Sequence, residues 1–156
     1  MPTIDQSVLV EAPRHEIFGF VADYRNVTRF EKRFTRVFRL PGPSYGLGVT
    51  LDARGWFRGV PVRAKLRIVE FVPDKRIVSR SVAGLKSILE WEFSDEGGGT
   101  RVRLITGYDW PFPLIPRQVK ESVAAEVGSM AADSLRELKR LMESGDYRTG
   151  ELERTE

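Results

Sequence analysis

One histidine, no cysteine and scattered carboxylates narrow the chemistry this 156-residue chain can perform. Histidine titrates near neutral pH and is the usual proton shuttle. The only one, His15, sits between Arg14 and Glu16 in the first turn of an expected helix and reads as a surface group. Without cysteine there is no thiolate nucleophile, disulfide or zinc–thiolate site. A lone imidazole among dispersed acids also lacks the clustering of an N/O metal site, so neither metal nor cofactor is expected. Gly97-Gly98-Gly99 has the composition of a phosphate cradle, but a hairpin needing positive φ accounts for it. In Gly46-Leu47-Gly48, Leu51 stands where a G-x-G-x-x-G loop needs its third glycine, so the segment reads as the start of a strand.

The third strand carries two opposite readings. With Leu51, Ala53 and Phe57 inward, its inner face is greasy. A shift of one residue exchanges the faces and turns Asp52, Arg54 and Trp56 inward. Asp52, Arg54 and Tyr108 would then be the candidate catalytic set, offering an acid, a guanidinium and a phenol to a substrate.

Aromatics and hydroxyls say more. Trp91, Tyr108 and Trp110 fall on the inward face of the sixth and seventh strands, and Phe30 and Phe34 lie near the two short helices. Thr106 and Tyr108 bring hydroxyls to that face, as do Ser79 and Ser81 on the fifth strand, and buried hydroxyls need partners. Leu66, Ile68, Leu89 and Leu104 supply apolar strand positions, and Val123, Val127 and Met130 face them from the last helix. A mostly apolar lining with a few polar groups is the composition of a small-molecule site.

Periodicity supplies the elements that position these groups. Thr3 to Val10 alternates as a strand, with Val8 and Val10 on one face. Pro13 suits the first position of a helix carrying Ile17, Phe18, Val21 and Tyr24 at helical spacing. Asn26 is expected to cap a second short helix through its side chain. Strands follow at Arg36–Leu40, Gly46–Phe57, Val60–Phe71, Arg76–Val82, Lys86–Ser94 and Thr100–Trp110, joined by short turns. Such a succession makes an antiparallel meander. A long helix from about Pro116 to Ser144 carries Val119, Val123, Val127, Met130, Leu135, Leu138 and Leu141 as its stripe and ends at Gly145, a plausible C′ residue. The domain is therefore 1–145, and 146–156 is expected to be a polar, disordered tail.

Composition fits one globular domain: hydrophobic content is 41% and charged content 30%. The net charge of +3 is small and interspersed, so nucleic acid is not an expected partner. Arg63, Lys65, Arg67, Arg101 and Arg103 read as a solvated face paired with Glu90 and Glu92 across strands. No apolar run approaches the roughly 20 residues that span a bilayer, which leaves only transient membrane contact. No signal peptide is expected, and the lack of cysteine suits a reducing cytoplasm.

One helix must cover the apolar face of seven strands. A sheet curved around a single helix cannot be filled everywhere by side chains, so a cavity is expected between them. The order of elements and the segments VEAPRHEIFGFVADYRN, WEFSDEGGGTRV and YDWPFPL resemble the START-like or birch-pollen-allergen-like superfamily over about Thr3 to Met142. Within it the bacterial polyketide cyclase/dehydrase and lipid-transport (SRPBCC) family looks most similar. The resemblance implies an α+β helix-grip fold: a seven-stranded curved antiparallel sheet wrapped around a long C-terminal helix, with two short helices between strands 1 and 2. It implies aromatases, cyclases, lipid carriers and quinone-binding proteins alike, so fold does not settle function. The leading expectation is a monomeric or homodimeric carrier of a lipid, quinone or polyketide-like molecule. A cyclase/dehydratase-type enzyme and a protein-interaction module are the alternatives.

Overall fold

Seven strands, most of them alternating apolar and polar residues, build one antiparallel sheet. The computed structural model describes residues 1–109 and 114–149. Strand β1 (Thr3–Val10) is followed by helix α1 (Arg14–Ala22), a 3-10 turn (Tyr24–Asn26) and the short helix α2 (Val27–Phe30). Strands β2 (Arg36–Arg39), β3 (Thr50–Phe57), β4 (Val60–Val72), β5 (Arg76–Gly84), β6 (Ser87–Glu96) and β7 (Gly99–Tyr108) then run as a meander, and helix α3 (Arg117–Ser144) closes the fold. The sheet order is β1-β7-β6-β5-β4-β3-β2, so the first strand returns to pair with the last. This is the helix-grip arrangement.

Turn chemistry sets the register. Gly97 and Gly98, with φ of 54° and 84°, join β6 to β7 in a two-residue hairpin whose handedness matches the strand twist. Gly145 takes φ 83° and ends α3, as expected of a C′ residue. Pro13 stands one position earlier than expected, as the N-cap of α1.

The interior divides into two halves, and the side chains of α3 decide where. Toward its C-terminus, Leu135, Leu138, Leu141 and Met142 are large and buried. They meet Ile17, Phe18, Phe20, Phe30, Trp91 and Leu104 in a solid core. Ring contacts tie it together: Phe30 meets Trp91 edge-on at 5.7 Å, and Phe18 meets Phe93 at 5.3 Å. Toward the N-terminus of α3 the same face carries Val119, Val123, Val127, Gly128 and Ala131, which reach less far. A second, smaller cluster of Ala53, Ala64, Leu66 and Leu89 lies there, flanked by Phe34, Val37 and Leu85.

Two local expectations are corrected. Asn26 does not cap α2 with its side chain; the amide donates instead to the Phe20 carbonyl at 3.0 Å, because Asn26 is itself buried and needs internal partners. The segment after Gly145 does not begin as a frayed tail. Asp146–Arg148 forms a 3-10 turn, and Tyr147 is buried against Phe20 with its hydroxyl donating to Glu16 at 2.9 Å. Arg29 fastens this turn by donating to the carbonyls of Tyr147 and Asp146. An aromatic ring with a reachable hydrogen-bond partner gains by leaving water. Residues 150–156 of the expected tail, and Trp110, lie outside the described residues.

The convex face is a field of ion pairs. Arg103 bridges Asp5 on β1 and Glu92 on β6, and Arg63 on β4 grips Asp52 on β3 through two bonds of 3.1 and 2.6 Å. Hydrogen bonds from Arg63 pull the Asp52 carboxyl down from 3.8 to about 2, with Arg54 adding to the effect. A carboxylate whose folded pKa is depressed stabilises the protein above its unfolded pKa, and that contribution fades as the pH falls through the folded value. The stability gap between the wild type and Asp52→Asn is therefore expected to be full above 3.8 and to shrink toward about 2. Urea unfolding across that acid range measures it. A gap that stays constant with pH contradicts the assignment.

Candidate ligand cavity

Short side chains on the N-terminal half of α3 leave a hollow of about 1070 Å³ between that helix and the sheet. Ala53, Gly55 and Phe57 from β3 and Val62, Ala64 and Leu66 from β4 form one wall. Leu89 from β6 and Thr106 and Tyr108 from β7 form the next, and Val123, Val127 and Met130 close it from α3. Arg33 and Phe34 reach in from the loop after α2, and Leu85, Lys86 and Ser87 from the β5–β6 turn. At the mouth Trp56 and Val60 are 63% and 59% exposed.

The register decides between the two readings of β3. Leu51 lies opposite Leu66, Ala53 opposite Ala64 and Phe57 opposite Val60, so the greasy face points inward. Asp52 and Arg54 point to the convex face, where the Asp52 carboxylate accepts from both Arg54 and Arg63. Neither lines the cavity, which corrects the catalytic placement considered for them. The cause is pairing: two apolar faces must meet the same interior, and a one-residue slip would bury the Asp52–Arg63 network instead.

Phe34, Leu66, Leu89, Thr106, Tyr108, Val123, Val127 and Met130 line the hollow. Phe30, Ile68, Trp91 and Leu104, expected at the same site, belong to the solid core, since they lie where Leu135 and Leu138 fill the space. Ser79 lies opposite Ile68 and Leu89 in the sheet and is not among the lining residues. Ser81 spends its hydroxyl on the Ser87 N–H at 2.9 Å, holding the β5–β6 turn.

Sequence periodicity missed Arg33, a buried charged group in the lining. It donates from Nε and Nη2 to both oxygens of Glu31, at 2.8 and 2.7 Å, and from Nη1 to the Thr106 hydroxyl at 2.9 Å. The Glu31 side chain is 2% exposed and that of Arg33 13%. Burial pushes the Glu31 carboxyl up, but the guanidinium and the Ser134 hydroxyl override it and hold the group below its usual range. Burial alone raises the Tyr108 phenol. The signal available in sequence was a Glu-x-Arg pair bracketed by Phe30 and Phe34, an apolar setting that leaves charges only each other. Among the described residues no group of three or more His, Cys, Asp or Glu could hold a metal ion. His15 is at the surface, 2.9 Å from Asp74.

Two devices shape the hollow. A Cβ on Gly55 would collide with the Arg33 carbonyl, so only glycine lets the Arg33 loop lie on β3. At the β3–β4 hairpin, Arg58 takes φ 52° and reaches α3, donating to Glu126 at 2.6 Å and Ser122 at 2.9 Å.

Over residues 1–143 the sequence matches the model of a family described as polyketide cyclase / dehydrase and lipid transport. The chain belongs to that family. No curated protein matches it. Solved structures of the same fold include TTHA0849 of Thermus thermophilus, at TM-score 0.81 and 18% identity, covering 92% of this chain and 99% of that one. A START superfamily protein from Mycobacterium smegmatis aligns at TM-score 0.71 and 15% identity over 91% of this chain and 97% of its own. The major latex-like protein 151 of Panax ginseng aligns at TM-score 0.65 and 11% identity over 90% and 97%. At these identities the likeness shows a shared fold. Among the described residues of this family member, no helix is long and apolar enough to cross a membrane.

Gly55→Ala is expected to displace the Arg33 loop and destabilise the protein by about 1–3 kcal/mol, the usual cost of overpacking. Chemical denaturation measures the loss, and an unchanged midpoint contradicts the close approach.

Proposed function

We propose that this protein binds a hydrophobic or amphipathic small molecule, of the lipid, quinone or polyketide-like kind, in the cavity between sheet and α3. The observation that carries this reading is the hollow of about 1070 Å³, with apolar walls broken only at a few polar side chains. Ligand sites typically measure roughly 300–1,000 Å³ and have this composition. Burying about 300 Å² of apolar ligand surface at about 25 cal/mol per Å² gives roughly 7 kcal/mol before ordering costs, enough for a useful carrier. Membership of a family whose description includes lipid transport supports the same reading. Thr106 and Tyr108 would orient the polar end of the guest.

The cyclase or dehydratase alternative loses the acid and guanidinium it drew from β3, because Asp52 and Arg54 stand on the far side of the sheet. Tyr108 is the one member of that set in the cavity lining.

The test is uptake of the neutral fluorescent probe N-phenyl-1-naphthylamine. Val127 lines the hollow from α3, and Val127→Trp fills part of it. Binding is expected to weaken by at least about tenfold, the equivalent of 1.4 kcal/mol. Thermal melts check that the variant is folded. Unchanged uptake by a folded Val127→Trp protein overturns the proposal.

A further inference from the structure

A charged pair at the wall of an apolar cavity invites a question about what it is there to meet. Glu31 and Arg33 are both buried, and their charges cancel through two short hydrogen bonds. Ser134 donates to Glu31 at 2.9 Å, so the carboxylate is well supplied with donors. The guanidinium is not exhausted in the same way. It has five N–H groups. Among the described residues three are used, two on Glu31 and one on Thr106. Two remain, on a side chain that lines the hollow. Thr106 accepts from Arg33 and keeps its own O–H, and it lines the same space. This corner of the lining therefore offers donors, and a guest that reaches it must bring an acceptor.

Charge then separates acceptors of similar shape. The Glu31–Arg33 pair is already neutral. A carboxylate guest docked on Arg33 would add a negative charge that the pair does not balance, at a desolvation cost of several kcal/mol; Lys86, also in the lining, is exposed to solvent. An uncharged carbonyl oxygen takes the same N–H groups without that cost. A bare hydrocarbon leaves the donors without a partner, which is also unfavourable.

Resting on the binding function proposed above, we infer that Arg33, held by Glu31 and Thr106, is the specificity-determining residue of the cavity, and that it selects ligands whose buried end carries an uncharged acceptor oxygen, such as a ketone, quinone or ester carbonyl, over carboxylates with the same apolar body.

Three probes of matched shape test this: 2-acetylnaphthalene, 2-isopropylnaphthalene and 2-naphthoate, with Kd measured by calorimetry at neutral pH on the intact chain. The wild type is expected to bind the ketone at least about tenfold more tightly than the carboxylate. Glu31→Gln leaves the guanidinium charge unbalanced and is expected to reverse that order. In Glu31→Gln/Arg33→Met, which removes both charges together, the ketone is expected to lose about tenfold relative to the hydrocarbon. The double variant keeps the test available if the single one fails to fold, since it leaves no lone buried charge. Equal wild-type affinity for ketone and carboxylate overturns the inference. So does a ketone-to-hydrocarbon ratio that the double variant leaves unchanged. If the hydrocarbon binds and either of those results is seen, the cavity function stands and the role of Arg33 falls. If none of the three probes binds, both fall.

Discussion

A single helix must fill the trough of a bent sheet, and α3 has the bulk to do so along only half its length. Leu135, Leu138, Leu141 and Met142 meet the rings of α1, α2 and β6 and leave no space. One or two turns toward the N-terminus, valines and small residues take over the same face, and the opposing wall is Ala53, Gly55 and Ala64. Small faces small across the gap, and the gap stays open. The solid half stabilises the fold, which frees the hollow half from having to do so. Native interiors pack at crystal-like density, so an opening of this size requires rigid walls elsewhere.

The Glu31–Arg33 pair stands where those halves meet. Its contacts reach α3 through Ser134 and β7 through Thr106, and Gly55 lets its loop lie flat on β3. Such a pair rarely adds net stability over apolar residues of the same volume, though breaking it by removing one partner costs about 3–5 kcal/mol. Its position suggests a use other than stability. It joins loop, helix and sheet at one point, and it places hydrogen-bond donors beside a guest that is otherwise held by area alone.

Much of this architecture was legible in the sequence because alternation is a strong signal. Val60 to Ile68 and Leu89 to Phe93 showed their inward faces directly, and Pro13, Gly97-Gly98 and Gly145 marked the turns and helix ends. The cavity was harder to place, since residues such as Trp91 and Leu104 share a face with Leu89 and Thr106, and face alone does not tell how far along the trough a side chain lies. The missing information was the bulk of α3 opposite each strand position. Arg33 escaped for another reason: it belongs to a loop with no period, and its partners Ser134 and Thr106 are far away in the chain. Tyr147 was hidden by its polar neighbours, among which a lone ring reads as surface.

The pairing of β1 with β7 has a consequence for how the chain matures. β1 has β7 as its neighbour in the sheet, and the ring that seals α1 comes from Tyr147, whose bond to Glu16 spans 131 positions. A nascent chain leaving the ribosome therefore holds β1 without its sheet neighbour until β7 has emerged, while the local hairpins that precede β7 can already form. Closure of such distant contacts is slow relative to local ones. Until it happens, the edge of β7 and the greasy trough are both open to other chains.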